Sequence, residues 1–342
     1  MFPVRKIFPA RKLSWPQGVF RSAAVLATLS VACSGACWGA PAASAESTRS
    51  TGPQPGIVES GLNTWTISST PSMASIKTDR KAHDALPEAI KEKGVLTIGA
   101  VTDEPPFIFI TGGKLQGIDV DMIGGVAKAL GIKIRLVKTS FEVMIPGLKA
   151  GRFDAVMGDL TDTAAREKVV NFVDYLENGQ TVIVRKGETR DFSRPLNLCG
   201  YSAAAPKGSL SARITAELSH ICTDKGLKPI ELKTYPGSAP VFLALDLGRV
   251  DVSPITYAIA TYLVKQHPEK YALTENLFYK SYKGAAVLKG RDDLFKALGY
   301  GFQAVVGSPN YSVAISHWGL GKVKADKVYT NVPGEPLSRS IH

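Results

Sequence analysis

The chain of 342 residues has four cysteines, and beyond its first 45 residues it has no apolar run of about 20 residues that could serve as a membrane-spanning body. It has no cluster of consecutive Lys and Arg, which argues against a nucleic-acid surface. It lacks the glycine-rich loop that cradles phosphate and the spaced glycines of a dinucleotide fingerprint, so no cofactor is expected. The glycines of "GYGFQAVVG" open a helix without a phosphate-binding turn and read as packing. What remains is ordinary globular material, 44% apolar and 21% charged, long enough for two domains with cores of their own.

The N-terminus accounts for much of the charge. Arg5, Lys6, Arg11, Lys12 and Arg21 precede the small-residue run "SAAVLATLSVACSGACWGA", and Ala43-Ser44-Ala45 supplies small residues where a signal peptidase cuts. Residues 1–45 therefore read as a removable export signal and place the mature protein in a periplasm or outside the cell. They contain five basic and no acidic side chains, so the formal +11 becomes +6 on removal. A lipid anchor on Cys33 or Cys37 is the disfavoured alternative, because Ser30 and Ser34 stand where a lipobox carries Leu. The mature part keeps only Cys199 and Cys222, and two cysteines in an oxidising compartment predict a disulfide. His220 nearby does not complete a zinc set, so no metal is expected.

Residues 46–78 are rich in Ser, Thr, Pro and Gly and read as a flexible lead-in. Strand-length apolar runs then alternate with helical periods: "VLTIGAV", the helix with Val120, Ile123, Val126 and Leu130 on one face and Gly131 at its end, "IKIRLVKT", "FEVMIPGLKAG" and "DAVMGDL". The same β-α-β-α-β order restarts near Leu198. A device recurs with it: "LKAGRFDAVMGD" from Leu148 and "LDLGRVDVSPIT" from Leu245 both end a helix on Gly-Arg-x-Asp and begin a strand. Two α/β lobes follow, each a sheet flanked by helices. The elements after Tyr282 return to the first lobe, so two segments cross between lobes and form a hinge. The expected bounds are 79–181 with 284–323 for lobe one, 182–283 for lobe two, and 324–342 as a tail. Asp154 and Asp251 face the wrong strand end for a ligand and are expected to tie turn amides.

The segments "GVLTIGAVTDEPPFIF", "GKLQGIDVDM", "IPGLKAGRFDAVMGDLTDTAAREKVVNFVDY" and "LCGYSAAAPKGS" resemble the bacterial extracellular solute-binding proteins of family 3, over the stretch from Lys93 to Gly321. The resemblance implies the two-lobed type II periplasmic binding protein fold and a monomer that captures a small polar, amino acid-like solute for the membrane permease of an ABC importer. It implies that Thr161 and Arg166, with Ser209 across the cleft, hold a carboxylate, and that Phe141 lines a side-chain pocket. Glu104 stands where the family has an aromatic, Asp159 where it has a small residue, and Thr256 where it has an Asp for the ligand's ammonium.

With Glu104 and Asp159, joined by Asp103 or Asp162, set against one Arg, the pocket reads as acidic and suits a cationic or zwitterionic solute. No His, Cys or Lys falls among the cleft motifs. That argues against the enzymes sharing this fold, dehydratases acting on cyclic acids and murein-cleaving transglycosylases. A solute-sensing domain is the third reading.

Overall fold

The computed structural model describes residues 58–60, 66–67, 73, 75–274, 277–335 and 337. The export signal expected over 1–45 lies outside them. Among the described residues no helix is long and apolar enough to cross a membrane.

The chain runs β1 (Val58–Ser60), β2 (Thr66–Ile67), α1 (Arg80–Asp84), α2 (Glu88–Lys93), β3 (Val95–Ala100), β4 (Asp103–Glu104), β5 (Ile108–Thr111), β6 (Lys114–Gln116), α3 (Ile118–Leu130), β7 (Lys133–Lys138), α4 (Phe141–Lys149), β8 (Ala155–Met157) and α5 (Ala164–Glu167). It continues with β9 (Val170–Arg185), β10 (Ser202–Pro206), α6 (Leu210–Asp224), β11 (Glu231–Tyr235), α7 (Ser238–Asp246), β12 (Val252–Thr256), α8 (Tyr257–Gln266) and β13 (Tyr271–Leu273). Last come β14 (Phe278–Leu288), α9 (Asp292–Val306), α10 (Pro309–His317) and β15 (Lys324–Thr330).

The strands join in one twisted sheet of order β1-β7-β3-β8-β14-β9-β12-β10-β11, with a small β2-β6-β5-β4 sheet beside it. In lobe one β7, β3 and β8 run parallel, and in lobe two β12, β10 and β11 do the same. Such strands are covered on both faces, which is why β3 and β8 read as near-continuous apolar runs. The two lobes meet through β9 and β14, paired antiparallel from Val170 with Leu288 in lobe one to Gln180 with Phe278 at the second lobe. These are the two crossing segments expected from the sequence. Gly131 closes α3 at φ +67°, where a side chain would be strained.

The repeated Gly-Arg-x-Asp does the same work in each lobe. Asp154 N–H donates to Thr97 O at the start of β3, and its Oδ2 accepts from Thr97 N–H at 2.8 Å. Asp251 N–H donates to Ser202 O at the start of β10, while its Oδ2 accepts from Ser202 N–H at 2.9 Å and from the Ser202 hydroxyl at 2.6 Å. Gly151 and Gly248, at φ +67° and +66°, turn the chain out of the preceding helices.

Two stretches left outside the lobes carry strands. The stretch 46–78 is not without structure: Val58–Ser60 extend the sheet alongside β7, Thr66–Ile67 pair with β6, and Met73 is buried in the main core. The tail from residue 324 begins with β15, a strand on β9, because β9 keeps an edge that the C-terminal residues cover. Cys199 and Cys222 form the expected disulfide, with their Cα atoms 5.7 Å apart.

Two outcomes follow from these ties. Reducing the disulfide, which joins residues 23 apart, should lower the urea-unfolding free energy by about 3 kcal/mol. Burial raises the Asp251 carboxyl, but the Ser202 bonds and Arg190 outweigh it and leave the group at about 2. Its folded value is therefore depressed, and its stabilisation exists above the unfolded value of about 4 and is lost as pH falls through about 2. Asp251→Asn should be less stable than the parent by about 2 kcal/mol at neutral pH, with the gap closing in acid. An equal gap at both pH values would refute the electrostatic account.

Candidate functional site

The far ends of β8 and β12 and a kink in β14 converge between the lobes. Gly158 follows β8 at φ +119°, a conformation that strains any side chain, and a Cβ there would crowd Val101 N and O at 3.0 and 3.1 Å. The next residue, Asp159, is held at φ +50°, a strained value for a residue with a side chain. Asp119, in the first turn of α3, fixes it there: its Oδ2 accepts from Asp159 N–H at 3.2 Å, and its Oδ1 accepts from the Tyr175 hydroxyl. Burial pushes the Asp119 carboxyl up to about 8.

At the centre lies Lys283, 1% exposed. Its Nζ is 2.7 Å from Asp159 Oδ1 and donates to Thr161 Oγ1 at 2.6 Å, to Thr256 Oγ1 at 3.2 Å and to Asp159 O at 3.2 Å. Thr256 in turn donates from its hydroxyl to Asp159 Oδ2 at 3.1 Å. The Phe107 ring lies 5.8 Å from the ammonium and adds a cation–π contact. Burial drives Lys283 down and Asp159 up, and in each case the partner's opposite charge opposes the shift.

A register shift between Lys283 and Gly284 sends the lysine inward, and Gly284 is required because a Cβ there would lie 2.1 Å from Val173 O. The expectation that no lysine enters the cleft is thus wrong. Lys283 could have been suspected as the one charge in the strand segment "KGAAVL", next to a glycine; its partner is 124 residues away.

Glu104 also spans the lobes. Both its carboxyl oxygens lie on the Ser238 hydroxyl, at 2.7 and 2.6 Å, at the start of α7. Burial, reinforced by the Asp159 charge, holds the carboxyl well above the usual range. A protonated Glu104 can both donate to and accept from that hydroxyl. Beside it, Asp103 Oδ2 stands 2.2 Å from where a Cβ on Gly237 would be, so only glycine admits this approach. Asp162, counted among the cleft acids, lies instead with Asp174 and Glu167, where burial and the neighbouring carboxylates raise both aspartates.

A second constellation adjoins the first. Arg166 on α5 donates from Nη1 to Thr161 O at 2.8 Å and from Nη2 to Gly208 O at 3.5 Å. Ser209 caps α6, accepting from Ala212 N–H at 3.2 Å. Arg166, Gly208, Ser209 and Arg213 line a pocket of about 300 Å³ shared by the lobes. Arg213, which the sequence reading missed, donates to Glu217 and to the Tyr279 hydroxyl. Burial, then the nearby Arg213 charge, lowers Arg166 to about 10.

Glu104, Asp159, Thr161 and Thr256 thus gather around the Lys283 centre, and Arg166 and Ser209 around the adjoining pocket. Phe141 belongs to neither: it packs with Val101, Met144 and Leu160 in a core cluster of lobe one. Its neighbour Glu142 reaches lobe two, pairing with Lys207 at 2.7 Å.

The sequence from residue 96 to 321 matches the family model for bacterial extracellular solute-binding proteins, family 3. The chain is 24% identical over 251 residues to the arginine-binding protein ArgT of Corynebacterium glutamicum, covering 72% of this chain and 81% of that protein. Its fold is similar to that of a mutant ArgBP from T. maritima, with a TM-score of 0.62 and 28% identity over 69% of this chain and 98% of the other. It is also similar to AncCDT-1, an ancestral amino acid-binding protein and precursor of cyclohexadienyl dehydratase, with a TM-score of 0.61 and 26% identity over 68% and 98% of the two chains. With a match across most of its length and strand-end side chains meeting between two lobes, the chain belongs to the bacterial extracellular solute-binding proteins, family 3.

Proposed function

We propose that the chain is an exported, monomeric binding protein that closes its two lobes over a small polar, amino acid-like solute and presents it to the permease of an ABC importer. The observation that carries this is the pocket lined jointly by Arg166 from the first lobe and Gly208, Ser209 and Arg213 from the second. A solute touching both walls binds the closed arrangement better than the open one, and that difference drives closure. Lobe one comprises 79–181 with 284–323, and lobe two 182–283. A guanidinium suits a carboxylate because its planar fork donates two parallel hydrogen bonds. The dipole of α6, whose N-terminus begins at Ser209, favours the same anion. The names of similar proteins, arginine-binding ArgT among them, support an amino acid-like solute.

Binding is favoured over catalysis by the state of the buried groups. The Lys283 ammonium is 1% exposed and its three donors are taken by Asp159, Thr161 and Thr256. Glu104 is engaged with Ser238 rather than facing the pocket. The likeness to a dehydratase precursor is a likeness to an amino acid-binding protein.

The test is a thermal-shift screen of the mature protein with amino acids and related carboxylates, followed by calorimetry on the hits. A solute that binds only the native state raises the melting temperature. Arg166→Ala should weaken a carboxylate ligand by roughly 10- to 100-fold, the value of charge-assisted hydrogen bonds. Unchanged affinity in that variant would remove Arg166 from the site.

A further inference from the structure

We infer that Lys283 supplies the cleft with its own ammonium, so that the solute is a carboxylate without an α-ammonium group, of the 2-oxo or 2-hydroxy acid class. This rests on the solute-binding reading above and deepens it.

Consider first what the centre of the cleft can still accept. Four oxygens from the loop after β8 and from the end of β12 close on Lys283 Nζ: Asp159 Oδ1 and O, Thr161 Oγ1 and Thr256 Oγ1. The second Asp159 oxygen takes the Thr256 hydroxyl. An ammonium has three N–H donors, and here each has an acceptor. The oxygens that would greet a cationic group from a ligand are therefore already engaged by the chain. Glu104 is turned away to Ser238, with both of its oxygens on that hydroxyl.

The opposite charge is unmet on the other side of Thr161. That one residue joins the two constellations: its carbonyl accepts from Arg166 and its hydroxyl from Lys283. Arg166 gives its hydrogen bonds to neutral carbonyls, and Arg213 stands across the same pocket. Lys283 lies behind Thr161 rather than on the wall of that pocket, and a solute whose carboxylate sits on Arg166 and whose α-carbon reaches Thr161 comes next to the ammonium. An α-ammonium placed there meets a like charge, which disfavours it. An uncharged oxo or hydroxyl group meets no such repulsion.

The experiment uses the mature full-length protein and matched sets: the protein amino acids together with their 2-oxo and 2-hydroxy counterparts, measured by thermal shift and then calorimetry. The wild type should bind a 2-oxo or 2-hydroxy acid at least about tenfold more tightly than the matching amino acid. Lys283→Met frees Asp159 to receive an ammonium, and the preference should invert. Should that variant fail to fold, Asp159→Asn combined with Lys283→Met removes both charges and should bring each matched pair to within about threefold.

A wild type that prefers the amino acid sinks this inference while leaving the solute-binding reading intact. So does a preference for the oxo acid that survives unchanged in whichever Lys283 variant folds. If no member of any set binds the wild type, the solute-binding reading fails and this one falls with it.

Discussion

The ion pair between Lys283 and Asp159 governs the arrangement of the whole interlobe region. Two charges taken almost wholly out of water are tolerable only with close partners, and removing one member of such a pair costs about 3–5 kcal/mol. Their 2.7 Å contact therefore dictates much around it. Asp159 must hold a left-handed backbone, so Gly158 must precede it and Asp119 must hold its amide. Lys283 must turn into the cleft, so β14 must slip register and Gly284 must press on the Val173 carbonyl. Thr161 and Thr256, from opposite lobes, supply the remaining acceptors.

Charge bookkeeping at the site changes once that pair is recognised. Counting acids along the sequence gives a pocket rich in carboxylates. In the fold Asp159 is matched by Lys283, Glu104 is shifted toward its neutral form, and Asp162 is turned to a separate cluster. The excess at the shared pocket is positive and comes from Arg166, whose hydrogen bonds go to neutral carbonyls, while Arg213 is paired with Glu217.

Local patterns in the chain were enough for the architecture. The Gly-Arg-x-Asp turns recur because each lobe needs the same bond from a strand-start aspartate to the next strand, and Asp154 with Thr97 and Asp251 with Ser202 are superimposable in logic. Helix periods, a closing glycine and apolar strands are short-range signals of the same sort. Lys283 was legible only as an odd charge beside a glycine; nothing near it in sequence announces its partner, and a lysine in a strand reads by default as an exposed end. Arg213 and Ser238 escaped for the same reason: each sits in a helix that looks ordinary until the other lobe is placed against it. The C-terminal strand β15 was missed because its only argument is the vacant edge of β9.

The continuity of β9 and β14 through both lobes has a mechanical consequence. A clamp joined by loose loops opens at no elastic cost, whereas this one must flex two hydrogen-bonded ribbons lying side by side, like a leaf spring fixed at both ends. Flexure concentrates where the ladder is interrupted, and one of the two interruptions falls between Lys283 and Gly284. The bend that parts the jaws thus acts on the residue whose ammonium fastens them, so the latch and the spring are one piece of chain.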